Sequence, residues 1–285
     1  VFMNLNAGAI GIRIDLEGAI ALAKKHGFAG VDFSITEAAR RAEERGIDTV
    51  RSFFTAAGVR PGSFGLPVEW RGDEARWREG LQQLPRLAEL AAALGCQRCV
   101  TWVPPASDER PFDENFRFHV ERFRPIAEIL QQSGCRLGLE FIGPATSRRG
   151  RKYVFIYTLD GMLELCRAIG TGNVGLLLDC WHWYTSHGTL DDLRKLTNTD
   201  VVAVHLNDAP AGIPVDEQID NRRCLPMETG VIDVPGFLRA LKNLGYDGPV
   251  TVEPFNERVR ALSADQACAE TAAALRKAFQ AAGIL

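Results

Sequence analysis

Two hydrophobic periods alternate along this chain. Short bulky apolar runs are followed by stretches whose apolar residues recur every three or four positions. The first pattern predicts buried strands and the second amphipathic helices. Asp15 can cap a helix whose apolar positions Leu16, Ala19, Ile20 and Ala23 share one face, with Gly27 as its stop. Strands are predicted over 2–5, 30–35, 58–64, 98–103, 136–141, 174–179, 201–207 and 248–253. After the first helix, the helices are predicted over 36–57, 73–94, 113–133, 158–169, 190–197, 234–244 and 263–282. Eight strands, nearly all followed by a helix, match a single-domain (β/α)8 TIM barrel spanning 1–285. No Pro/Gly/Ser linker marks a second domain. A doubly wound sheet, which gathers ligands at one switch point, is the alternative. Two long connections, 143–157 and 208–232, interrupt the rhythm, and loops of this length inside a compact domain tend to carry function.

Composition narrows the classes. A chain of 285 residues that is 46% hydrophobic supports one large core. A net charge of −3 argues against nucleic acid as the main partner. No run approaches the length of a membrane span, and no signal peptide is expected. Seven scattered cysteines, several inside apolar runs, fit a reducing cytoplasm. Cys96 and Cys99 have CxxC spacing but no second pair, and read as a helix end followed by a strand start.

Four apolar runs in the second half end on metal-binding side chains. Leu137-Gly138-Leu139 precedes Glu140, Leu176-Leu177-Leu178 precedes Asp179, Val201 to Val204 precedes His205, and Val250-Thr251-Val252 precedes Glu253. A charge at the end of such a run is costly unless compensated. The gaps of 39, 26 and 48 residues are each about one strand–loop–helix unit. Consecutive barrel strands would deliver all four side chains to one rim. Any one of them alone reads as a helix cap, a salt bridge or a core histidine; that explanation has to be invoked four times in succession. Three carboxylates and one imidazole suit one divalent ion, with Mn²⁺ favoured, Mg²⁺ and Co²⁺ close behind and Zn²⁺ also compatible.

The segments Leu139-Glu140-Phe141, Leu178-Asp179-Cys180-Trp181-His182, Val204-His205-Leu206-Asn207-Asp208 and Val252-Glu253-Pro254-Phe255 resemble the xylose-isomerase-like sugar isomerase/epimerase superfamily. It includes ketose 3-epimerases, hydroxypyruvate isomerase and inosose isomerases and dehydratases, with the endonuclease IV fold a distant relative. The resemblance implies that Glu140, Asp179, His205 and Glu253 bind one metal and that His182 touches substrate oxygens. It implies a small carbohydrate as partner, with an assembly of identical chains left open. Ketose 3-epimerases carry an Arg shortly after the histidine of strand seven. Here that stretch is Asn207 to Gly212, without one. Arg222 or Arg223 in the longer loop could replace it.

Chemistry consistent with this set is proton abstraction beside a carbonyl. A cation would polarise the carbonyl and stabilise the enediolate as it forms. Glu140 and Glu253, from strands five and eight, are the candidate acid–base pair. Return of the proton to the opposite face is epimerisation, to the neighbouring carbon isomerisation, and loss of a β-hydroxyl instead is dehydration. Asn207 and Asp208 are candidates to bind substrate or orient the imidazole, and Arg222 and Arg223 to bind an anionic group. Trp102, Trp181, Trp183, Phe64 and Phe255 are candidates for an apolar wall against a sugar. The basic residues Arg148, Arg149, Arg151 and Lys152 are candidates to meet an anionic substrate, and Glu228 to support the metal site. Two competing readings are weaker. An abasic-site endonuclease needs several metals, and five histidines, two of them in predicted helices, supply them poorly. A non-catalytic sugar-binding barrel has no need of two opposed carboxylates.

Overall fold

The computed structural model describes all residues, 1–285. Eight parallel strands close into a barrel, with helices between them. They are β1 (Phe2–Leu5), β2 (Gly30–Phe33), β3 (Arg60–Gly65), β4 (Arg98–Val103), β5 (Arg136–Phe141), β6 (Val174–Asp179), β7 (Val201–His205) and β8 (Pro249–Thr251). Each pairs with its neighbours in sequence, and β1 closes the ring against β8 through Phe2–Pro249 and Asn4–Thr251. The ladder gives the C-terminal strand ends a common rim, the face on which such barrels carry their sites.

The local signals act as the sequence predicts. The Asp15 carboxylate accepts the Gly18 N–H and starts the helix Leu16–His26, and Gly27 ends it at φ 77°. One stretch departs from expectation. The helix predicted over 36–57 is two helices, Ile35–Arg45 and Ile47–Ala57. Gly46 lies between them at φ 84° and ψ 149°, a conformation that breaks the helical ladder and that glycine adopts without a Cβ penalty. Among the short elements that the apolar pattern does not predict are the helix Cys180–Thr185, springing directly from β6, the helix Glu257–Arg260, and a two-stranded ribbon of residues 106–107 against 153–154.

The core is continuous. Apolar faces of the surrounding helices pack on the barrel wall, and Cys96, Cys99 and Cys135 are free, buried thiols within it. Burial pushes the Cys96 thiol up to about 12, which removes the thiolate that redox or zinc chemistry needs. Both long loops overhang the rim and are tied to each other. Arg149 forks onto Glu217 at 2.7 and 3.1 Å, and the Thr146 hydroxyl donates to the Gln218 carbonyl at 2.7 Å. Arg151 pairs with Asp108, and Arg148 donates to the Gly143 carbonyl while lying over the Tyr157 ring. These arginines are therefore engaged in holding the loop, which removes them as a waiting anion site.

Candidate metal centre and active site

Glu140 ends β5, Asp179 ends β6, His205 ends β7, and Glu253 lies two residues beyond β8. The four offer ligand atoms that all lie within 4.8 Å of one another. Donors about 2.1 Å from a shared ion stand at most ~4.2 Å apart when opposed, so small side-chain shifts suffice for one cation. The Nδ1 atom of His205 faces Glu253 Oε2 at 3.2 Å, Glu140 Oε1 at 3.3 Å and Asp179 Oδ2 at 4.0 Å. Neither His205 Nδ1 nor Glu140 Oε1 has a well-directed hydrogen bond, although both are buried. Buried polar atoms without partners are rare in native proteins and point to something missing between them. The donor set and these two orphaned atoms fit a divalent cation.

The protonation pattern follows from crowding. Burial pushes the Glu140 carboxyl up to about 7. Burial also raises Asp179, against the opposing pull of Arg223 and His205. On His205 burial works the other way, but Glu253 and Glu140 outweigh it and hold the imidazole well above its ordinary range. Glu253 is lowered, because His205 and Arg223 outweigh its burial. The protonated imidazole thus stands in for the positive charge that a cation would supply.

Around this cluster the chain fixes each group from behind. The Asp179 carboxylate caps the helix 180–185, accepting the Trp181 N–H at 2.7 Å, while it also lies in the four-residue cluster. Asn207 donates to both Asp179 oxygens at 3.2 and 3.3 Å and accepts the Glu253 N–H at 3.0 Å. It ties the Asp179 carboxylate to the Glu253 backbone rather than orienting the imidazole. Arg223 is buried and donates to Asp179 Oδ2 at 2.8 Å, Asp220 Oδ1 at 2.6 Å and Glu253 Oε2 at 3.4 Å. It brings to the rim the guanidinium that is absent from 207–212. His182 is buried beside it, its Nδ1 accepting the Gly143 N–H at 3.2 Å and its Nε2 3.2 Å from Arg223. Burial, then Arg223 and His205, keep the ring neutral. Nδ1 accepts from Gly143 and Nε2 faces the Arg223 guanidinium, so both ring nitrogens are turned toward donors. Gly143 is sterically required here, since a Cβ would lie 2.1 Å from the His182 carbonyl oxygen.

The cleft above the cluster has two lobes that share Trp102, Glu140 and Glu253. One, about 400 Å³, is walled by His182, Asp220, Arg223 and Phe255. The other, about 430 Å³, spreads over β1–β3 past Asn6, Arg13, Asp32 and Ser63. Trp102 is half exposed and stacks under Arg71 at 4.0 Å. Phe255 is held at φ 40° with the Arg223 guanidinium over its ring at 4.8 Å. These two aromatics reach the cleft. Phe64, Trp181 and Trp183 do not: they are packed in the core behind it.

Three further expectations are corrected. Asp208 is fully buried and lines neither lobe; it accepts the N–H groups of Ala209, Thr229, Gly230 and Ile232 and so staples the loop 208–232. Arg222 is exposed and lines neither lobe, because its neighbour takes the inward position. Glu228 accepts the Leu225 N–H and faces Arg258 at 3.8 Å, outside both lobes. One rim group went unread in the sequence. Asp32, on β2, opens into the larger lobe, and burial raises its carboxyl against the pull of Ser63 and His205. Its signal was a lone acid inside an apolar run, the same kind of cue as the other four, but set within the strand rather than at its end.

A closed parallel barrel with such a rim defines a class, and the comparisons agree on which. The family model for the xylose isomerase-like TIM barrel matches residues 20–278, and the chain belongs to that family. It is 29% identical to the inosose isomerase of Halalkalibacterium halodurans over 223 residues, 78% of this chain and 76% of that protein. A xylose isomerase domain protein from Alicyclobacillus acidocaldarius superposes with a TM-score of 0.88 at 30% identity, over 99% of both chains. The crystal structure of the IOLI protein with a binding zinc atom superposes with a TM-score of 0.80 at 20% identity, over 99% of this chain and 98% of that one, and is alike in fold. No helix is long and apolar enough to cross a membrane.

Proposed function

We propose that this protein is a divalent-metal-dependent isomerase or epimerase of a small keto-sugar or keto-cyclitol. The observation that carries the reading is the convergence of Glu140, Asp179, His205 and Glu253 on one point, with orphaned buried atoms facing it. The inosose isomerase relatives favour a cyclitol or sugar as substrate. Bound among these four groups, Mn²⁺ or a similar ion would polarise a substrate carbonyl and stabilise negative charge developing on its oxygen.

The chain's own residues supply the rest. Glu140 and Glu253 enter from strands β5 and β8 and reach the cleft from different sides. One takes the proton from the carbon beside the carbonyl, and the other returns a proton to the same or the neighbouring carbon. His182, which walls the smaller lobe beside Arg223, is the histidine set to meet a substrate oxygen. Arg223 holds Asp179 and Glu253 in place and lends them positive charge. Trp102 and Phe255 cover the apolar face of a sugar.

Glu253→Gln tests the assignment. The amide keeps an oxygen for the ion but cannot carry the proton. With Mn²⁺ retained, washout of the substrate α-proton into D₂O, followed by NMR, should slow about 10²–10⁴-fold. Washout at the wild-type rate would remove Glu253 from acid–base chemistry.

A further inference from the structure

The larger lobe carries a feature the acid–base scheme leaves unused. Asp32 stands on β2, four strands around the ring from β6 and Asp179. Its Oδ1 atom is saturated. It accepts from Asn4 Nδ2 at 2.7 Å, from the Ser63 N–H at 2.8 Å and from the Ser63 hydroxyl at 2.8 Å. Its Oδ2 atom has only a long contact, 3.4 Å from the Thr251 hydroxyl. One oxygen is thus clamped and the other left to accept a further donor in the lobe.

Three devices build this clamp. The β2–β3 register shifts between Val31 and Phe33, so that three steps of β3 oppose two of β2. Such bulges re-aim side chains beside functional clefts, and this one brings both the amide and the hydroxyl of Ser63 onto a single oxygen. Gly30 and Gly62 leave room for Asn4, since a Cβ on either would lie 2.6 or 2.2 Å from Asn4 Oδ1. Asn4 also donates to Thr251 at 2.9 Å, and Thr251 is two residues before Glu253. The carboxylate is therefore preset in position relative to the reacting end of the cleft.

Charge in the lobe is one-sided. Away from the metal-site end, where His205 lies, Asp15 and Glu37 also line it, both paired with Arg41, and Arg13, exposed at the edge, is the one basic side chain there. A fixed carboxylate with a free oxygen accepts from a hydroxyl and repels a phosphate or carboxylate.

We propose that Asp32 is a specificity-determining residue that accepts a hydroxyl from the far end of an uncharged, polyhydroxylated substrate. The assignment rests on the isomerase reading for where the keto end lies. It selects unphosphorylated polyols over their phosphates.

The test separates the two readings by using two probes on the Mn²⁺-loaded protein. Binding of myo-inositol, which has no carbonyl to turn over, is measured by calorimetry. Proton washout from hydroxyacetone, too short to reach Asp32, is followed by NMR. Asp32→Asn should weaken myo-inositol binding about 10- to 100-fold, the worth of a hydrogen bond to a charged group, and leave hydroxyacetone washout within about twofold. Ser63→Ala, which keeps the carboxylate but removes one of its donors, should weaken binding by about threefold or more. myo-Inositol 1-phosphate should bind wild type more weakly than myo-inositol, and Asp32→Asn should close that gap. Undiminished myo-inositol binding in both variants, no binding to wild type, a wild-type preference for the phosphate, or equal losses on both probes would overturn the assignment. Absent hydroxyacetone washout in wild type, with Asp32-dependent inositol binding intact, would instead sink the catalytic reading alone.

Discussion

The two halves of the barrel rim are built to opposite rules. From β5 to β8 every strand delivers an ionisable group to one point, and a buried arginine is packed against them. From β1 to β4 the rim presents Asn6, Ser63, Trp102 and a single strand-borne acid, Asp32, whose one oxygen is already bonded three times. One half concentrates unsatisfied charge, and the other spreads satisfied polarity around an open lobe. A barrel fixes where inward side chains fall, so the two halves can carry different tasks on one scaffold: chemistry on one side, recognition on the other.

The same substitution made in both halves should expose the contrast. Arg223→Met leaves Asp179, Asp220 and Glu253 in a buried site with His205 as their one remaining counter-charge. Denaturant unfolding of the metal-free protein should show a loss of about 3–5 kcal/mol. Arg13→Met, at the exposed edge of the other lobe, should change stability by less than about 0.5 kcal/mol. A divalent ion should recover part of the Arg223→Met loss, because it supplies charge to the same carboxylates. Equal effects in the two halves would erase the distinction.

A smaller effect is expected from pH. Glu140, raised to about 7, and His205, raised above its ordinary value, both favour the proton in the folded state. Their stabilisation is full below the unfolded-state values and is lost as pH rises through the folded ones. Glu253 is lowered and works oppositely, but in the acid range where carboxylates ordinarily titrate. His182 and His119 are lowered and oppose this up to about pH 6.5, where an unfolded histidine sheds its proton, so the melting temperature of the metal-free protein should fall between about pH 7 and 8. With Mn²⁺ present the trend should reverse, since ligands that have shed their protons bind the ion more tightly. A metal-free profile that rises across this range would contradict the assignment of the buried charges.

The halves also differ in how legible they were. The β5–β8 ligands each follow a bulky apolar run, and that abrupt change to a charged side chain is readable from sequence. Asp32 is flanked by Val31 and Phe33 inside its strand, where an acid looks like ordinary alternation. Only the bulge opposite it sets the Ser63 donors on its carboxylate, and a bulge depends on pairing between distant segments. Arg223 and Arg222 were equivalent as sequence; tertiary packing chose the first for the site and left the second in solvent. Asp208 next to Asn207 shows the same limit. Neighbouring residues on one strand end point to opposite sides, and here one serves the rim and the other its loop. The split of 36–57 at Gly46 reflects a helix pattern that continues on both sides of a single backbone break.

Anomalous scattering from Mn²⁺-loaded crystals, together with the metal content per chain in solution, bears on everything above. One ion per chain should appear, with donors from Glu140, Asp179, His205 and Glu253 all about 2.0–2.3 Å from it. An ion bound elsewhere, or a Mn²⁺-soaked protein in which His205 and Arg223 keep these carboxylates as closed ion pairs, would contradict the account.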